Sequence, residues 1–106
     1  MDFNSLMQQA QKLQEEMERK EKEVSSKEYR STVSKNIVEL VMNGNYEITE
    51  ININEDFAKN FGAGDKEILE DSIMLAINEV TKQISADKEG ILGDLAGNIS
   101  LPGLGF

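Results

Sequence analysis

The run Val38-Glu39-Leu40-Val41-Met42-Asn43-Gly44-Asn45-Tyr46-Glu47-Ile48-Thr49-Glu50-Ile51-Asn52-Ile53 decides the fold. Aliphatic residues recur at every second position on both sides of Asn43-Gly44, and a period of two belongs to strands rather than helices. Before the turn, Val38, Leu40 and Met42 share one face, with Ile37, Glu39 and Val41 on the other. After it, Thr49, Ile51 and Ile53 alternate with Ile48, Glu50 and Asn52, which predicts a strand with one wet face. Asn43 and Gly44 both tolerate positive φ, so the pair predicts a tight hairpin. Glu28 to Ser34, with Tyr29, Ser31 and Val33 on one side, reads as an earlier strand. The expected sheet is a three-stranded antiparallel meander.

Helical periods flank this sheet on both sides. Upstream, Phe3, Leu6, Ala10, Leu13, Met17, Lys20 and Val24 follow an alternating three–four spacing, with Met7 widening the start. That is a narrow seam of the coiled-coil kind. The residues between are Gln, Glu, Lys and Arg, which favour helix, and neither Gly nor Pro interrupts from Asp2 to Lys27. Asp2 or Asn4 is placed to cap the start. About 22 residues at ~1.5 Å each reach ~33 Å, so part of this helix must project or pair with another. Downstream, Phe57 to Gly64 reads as a loop and Asp65 as the cap of a second helix. Its apolar stripe is Ile68, Leu69, Ile73, Ala76, Ile77, Val80 and Ile84, and it is expected to fade near Lys88 to Gly90. The predicted class is α+β, helix–three-stranded antiparallel sheet–helix, with residues 1–90 as one domain. Residues 91–106 contain Gly93, Gly97, Pro102, Gly103 and Gly105 and read as a flexible tail.

Composition narrows the chemistry. A chain of 106 residues with 39% hydrophobic residues buries little apolar surface alone, so self-association is expected. With no Cys there is neither a disulfide framework nor a thiolate, and with no His the commonest neutral-pH acid/base and metal ligand is missing. No Walker loop, GxSxG or GxGxxG segment is present. Asn52, Asn54 and Asp56 alternate like a calcium loop, but the following glycine and the terminal glutamate are missing. The expectation is a protein without catalytic residues, metal or cofactor. The carboxylate pairs Glu15/Glu16, Glu55/Asp56 and Glu70/Asp71 read as solvated surface. No apolar run is long enough for a bilayer, and Met1 to Gln11 lack the features of a secretory signal; the expected location is the cytoplasm.

The net charge of −9 is unevenly spread. Between Lys12 and Lys35, seven cations meet six acids; from Asn36 to Phe106, four cations meet thirteen acids. An anionic partner is therefore expected at the N-terminal third, where Lys12, Arg19, Lys20, Lys22, Lys27 and Arg30 are the candidate phosphate contacts. Gln8, Gln9, Gln11 and Gln14 add neutral donors. The competing reading of the same helix is a solvated amphipathic face with Glu–Lys surface pairs. The acidic remainder is either a solubilising surface or a dock for a basic protein partner.

Four blocks taken in order resemble the YbaB/EbfC family of bacterial nucleoid-associated proteins. They are Leu6-Met7-Gln8-Gln9-Ala10-Gln11-Lys12-Leu13-Gln14-Glu15-Glu16-Met17; Val38 to Gly44; Ile51-Asn52-Ile53 with Asp65 to Asp71; and Leu101-Pro102-Gly103-Leu104-Gly105-Phe106. The resemblance implies a tight homodimer whose long N-terminal helices project as arms and bind double-stranded DNA with low sequence preference in the nucleoid. No membrane or small-molecule substrate is implied. Phe3, Leu6, Ala10, Leu13 and Met17 are then the expected dimer or core seam, and DNA contact extends to the second helix near Lys82 and Lys88. The chain departs from the family pattern where Ser31 to Asn36 lacks glycines and where the Phe57 to Gly64 loop is longer.

Overall fold

A computed structural model describes residues 2–98, with side chains as far as Asp94. The elements run α1 (Phe3–Ser26), β1 (Tyr29–Arg30), β2 (Val38–Met42), β3 (Ile48–Ile53), α2 (Glu55–Lys59) and α3 (Asp65–Asn98). The sheet has the order β1-β2-β3, antiparallel throughout. The helix–sheet–helix architecture expected from the sequence is the one observed.

The molecule is elongated. Its radius of gyration is 20.7 Å and its longest dimension 71 Å, against roughly 13 Å for the radius of a compact domain of this length. Most of the extension belongs to α1 and α3. Lys27 pairs with Asp87 and Lys20 with Asp94, so equal seven-residue steps on the two helices mark an antiparallel, side-by-side run. Asp2 caps α1, its carboxylate accepting from the Asn4 N–H.

The core lies where α3 crosses the sheet. Val38, Leu40 and Met42 pack with Ala76, Val80 and Ile84 of α3, and Val24, Tyr29 and Ile91 close the cluster. These are the alternate positions of β2 and the helical stripe of α3 read from the sequence, because each element must bury its one apolar face against the other. The expected seam of α1 divides in two. Leu13 and Met17 pack against this core and Val24 is buried in it, whereas Phe3, Leu6 and Ala10 are exposed.

Four expectations need correction. The first strand spans two residues rather than Glu28 to Ser34. After Ser31, whose N–H still reaches the Leu40 carbonyl, the Thr32 and Val33 N–H groups turn to the Glu79 carboxylate on α3 and leave the ladder. The start of the Phe57 to Gly64 loop lies within α2, because Asn54 caps Phe57 N–H at 3.0 Å and the Phe57 and Phe61 rings meet edge to face. α3 does not fade near Lys88 to Gly90 but continues to Asn98, so 91–98 is helix; residues 99–106 lie outside the described ones. A helical glycine costs about 1 kcal/mol, and burial of Ile91 beside α1 offsets it.

The fourth correction concerns the hairpin. Gly44 is not in the left-handed region; Tyr46 is, at φ 62°. Asn43 opens a turn in which its carbonyl accepts from Tyr46 N–H and its side chain accepts from Asn45 and Glu47 N–H. Tyr46 then fills the position glycine usually takes, held by contacts of its hydroxyl with Ser85 and of its ring with Lys88 Nζ. An irregularity follows, with Val41 opposite Glu50 but Met42 opposite Ile48. The extra residue reverses the alternation, so Ile48 joins Ile51 and Ile53 on the core side of the sheet.

Candidate nucleic-acid interface

The six candidate cations do not form one patch. Lys12, Arg19, Lys20 and Lys22 stand along α1, while Lys27 and Arg30 sit at its root and on β1. Most are already answered by the chain's own carboxylates. Arg30 reaches Glu39 at 2.9 Å and Glu28 at 3.4 Å; Lys27 reaches Asp87 at 3.1 Å; Lys20 reaches Asp94 at 3.6 Å; Arg19 lies 3.8 Å from Glu16. Among the described residues, Lys12 and Lys22 make no ion pair. Lys82 on α3 makes none either, and Lys88 lies over the Tyr46 ring.

The root of the arm is held by a polar cluster. Asp87 accepts from the Tyr29 hydroxyl at 2.7 Å and from the Lys27 ammonium. Those two hydrogen bonds keep the Asp87 carboxyl below its ordinary range despite partial burial. Burial, reinforced by the Asp87 charge, pushes the Tyr29 phenol upward. Glu79 plays a similar part at the sheet. Burial opposes its ionisation, but the Thr32 hydroxyl and the Val33 and Thr32 N–H groups outweigh it and hold the carboxyl low. These groups fix α3 against β1 and α1.

A cleft between α1 and α3 is lined by Glu18, Glu21, Lys22 and Lys88, with Val24 and Ile91 at its floor. Two acids against two cations leave no net field inside the cleft, so Lys22 meets an anion from its exposed side instead. The first turns of α1 are different: residues 3–12 are exposed throughout, and Lys12 stands there with Gln8 and Gln11. Among the described residues no group of acids could hold a metal ion, and no helix is long and apolar enough to cross a membrane.

A second surface was not anticipated. β3 is an edge strand, and Ile48, Ile51 and Ile53 on its core side remain 45%, 47% and 44% exposed. Ile68, Met74 and Leu75 of α3 are about half exposed as well. Sequence patterning put Ile51 and Ile53 on one face and Ile48 on the other, and it does not reveal that α3 lies over β1 and β2 and leaves all three open.

The helix–sheet–helix fold with its long helical arm defines the class of protein, and among the described residues most of the candidate phosphate contacts stand on that arm. The chain belongs to the YbaB/EbfC DNA-binding family, whose model matches residues 1–99. It is 37% identical over 103 residues to a nucleoid-associated protein of Clostridium acetobutylicum, covering 97% of this chain and 89% of that one. A nucleoid-associated protein of Mycoplasmopsis pulmonis is 43% identical over 90 residues, covering 84% and 85%. Among solved structures, the crystal structure of an uncharacterized protein from Helicobacter pylori has the same fold, with a TM-score of 0.69 at 19% identity over 91% of this chain and 98% of that chain.

Proposed function

We propose that the chain acts as a homodimer that binds double-stranded DNA with low sequence preference in the nucleoid, in the cytoplasm. The observation that supports the DNA site is the exposed run 3–12 of α1 with Lys12, which makes no ion pair among the described residues. Lys12 and Lys22 are the leading phosphate contacts, with Arg19 beside them in a pair so exposed that solvent screens it. Lys27 and Arg30 contribute less, because each holds a carboxylate at about 3 Å. Contacts of this kind are to the backbone and read no bases, which accounts for low sequence preference.

The dimer rests on β3. A free strand edge beside three half-exposed isoleucines is a surface that soluble monomers avoid. A second copy seated there covers the apolar patch and keeps both arms free. The test is a duplex-DNA titration across salt beside a mass measurement in solution. The expected result is a dimer whose log affinity falls linearly with log salt. Binding that is absent at low salt, or indifferent to salt, defeats the reading. Capture of a protein partner that survives nuclease treatment would favour an acidic interaction protein instead.

A further inference from the structure

We infer that Asp94 competes with DNA phosphate for Lys20, so that the arm carries one cation held in reserve; this rests on the DNA-binding reading above. Lys20 occupies a seam position between Met17 and Val24. Its side chain is only 26% exposed, with its ammonium brought out at the boundary of α1 and α3. Asp94 waits there, its carboxylate 72% exposed and 3.6 Å from the Lys20 nitrogen. That separation exceeds the ~2.7–2.9 Å of a strong charge-assisted hydrogen bond, and exposed pairs stabilise by only ~0–1 kcal/mol. The pair is therefore exchangeable. A phosphate reaching Lys20 takes over its ammonium from Asp94, and while Asp94 remains nearby its charge opposes the exchange.

The neighbouring pair shows the contrast. Lys27 meets Asp87 at 3.1 Å, and Asp87 is also tied to the Tyr29 hydroxyl at 2.7 Å, so that carboxylate is fixed in the packing. Lys27, although 57% exposed against 26% for Lys20, stays tied to a fixed carboxylate, while Lys20 faces an acid free to move away. The acid lowers affinity at the arm and keeps the protein from staying bound.

The test compares the full chain with Asp94→Asn and Glu89→Gln by duplex-DNA titration over a salt series. Glu89 is exposed, makes no ion pair among the described residues, and stands about 140° round α3 from Asp94; it carries the same charge change. Asp94→Asn is expected to bind several-fold tighter at low salt, with the log–log slope steeper by about 0.9 for each Lys20 that gains a phosphate. Glu89→Gln should leave the slope unchanged. Adding Lys20→Gln to Asp94→Asn should remove the gain. Equal gains from both acids with unchanged slopes, or a gain that survives Lys20→Gln, overturns the inference. If the unaltered chain binds DNA and Asp94→Asn binds identically, only this inference fails; if no variant binds, the DNA reading fails with it.

Discussion

Gly44 lies against the last turn of α1 so closely that a Cβ on it would stand 1.9 Å from the Val24 carbonyl oxygen and 2.8 Å from Ser25 Cα. The hairpin and the arm therefore meet backbone to backbone. Glycine is needed here for the approach, not for its torsion angles, and the contact fixes where the arm leaves the sheet.

Gly44→Ala should force those two backbones apart. Overpacking costs about 1–3 kcal/mol, and in a chain of this size 1 kcal/mol moves Tm by ~4–8 °C. A thermal melt at fixed protein concentration is expected to show a fall of at least about 5 °C. An unchanged melt would mean the hairpin does not bear on α1.

Acid should weaken the fold through Glu79 and Asp87. Both carboxyls are held below their unfolded values, so each contributes stability that is present above its unfolded pKa and lost as pH falls through the folded one. Denaturant midpoints should therefore be level near neutrality and decline below about pH 4.5. Glu79→Gln should lower stability at pH 7 by about 1 kcal/mol and flatten part of that decline. A decline of the same size in Glu79→Gln would assign it to other carboxylates.

Charge on β3 should split the proposed dimer. Ile51→Lys with Ile53→Lys puts two cations on the half-exposed apolar face, and sedimentation should then report the monomer mass. A dimer that persists with β3 charged would move the interface elsewhere, with the exposed Phe3 and Leu6 of α1 the next surface to test.

DNA affinity should respond unequally along the arm. Lys12→Gln with Lys22→Gln is expected to flatten the salt slope by about 0.9 for each contact removed. Lys27→Gln with Arg30→Gln should change it less, since those cations are paired with Asp87 and Glu39. Equal losses would show that the internal pairs open on binding.

The period of two around Asn43-Gly44, the three–four spacing of α1 and the stripe of α3 were legible from the residues alone, because local geometry sets which side chains share a face. The chain alone thus determined the types and order of the two long helices and three strands, the core positions Val38, Leu40, Val80 and Ile84, and the family. Only tertiary structure decided where α3 ends, that α2 forms, that Glu79 takes the N–H groups of Thr32 and Val33, and that Ile48 changes sides at the irregularity. It also decided which cations are free. Lys20 and Lys27 lie 74 and 60 residues from Asp94 and Asp87 in sequence, and no local pattern reports that an acid so distant stands opposite. Periodicity is a property of one element; neutralisation and exposure depend on how two elements meet.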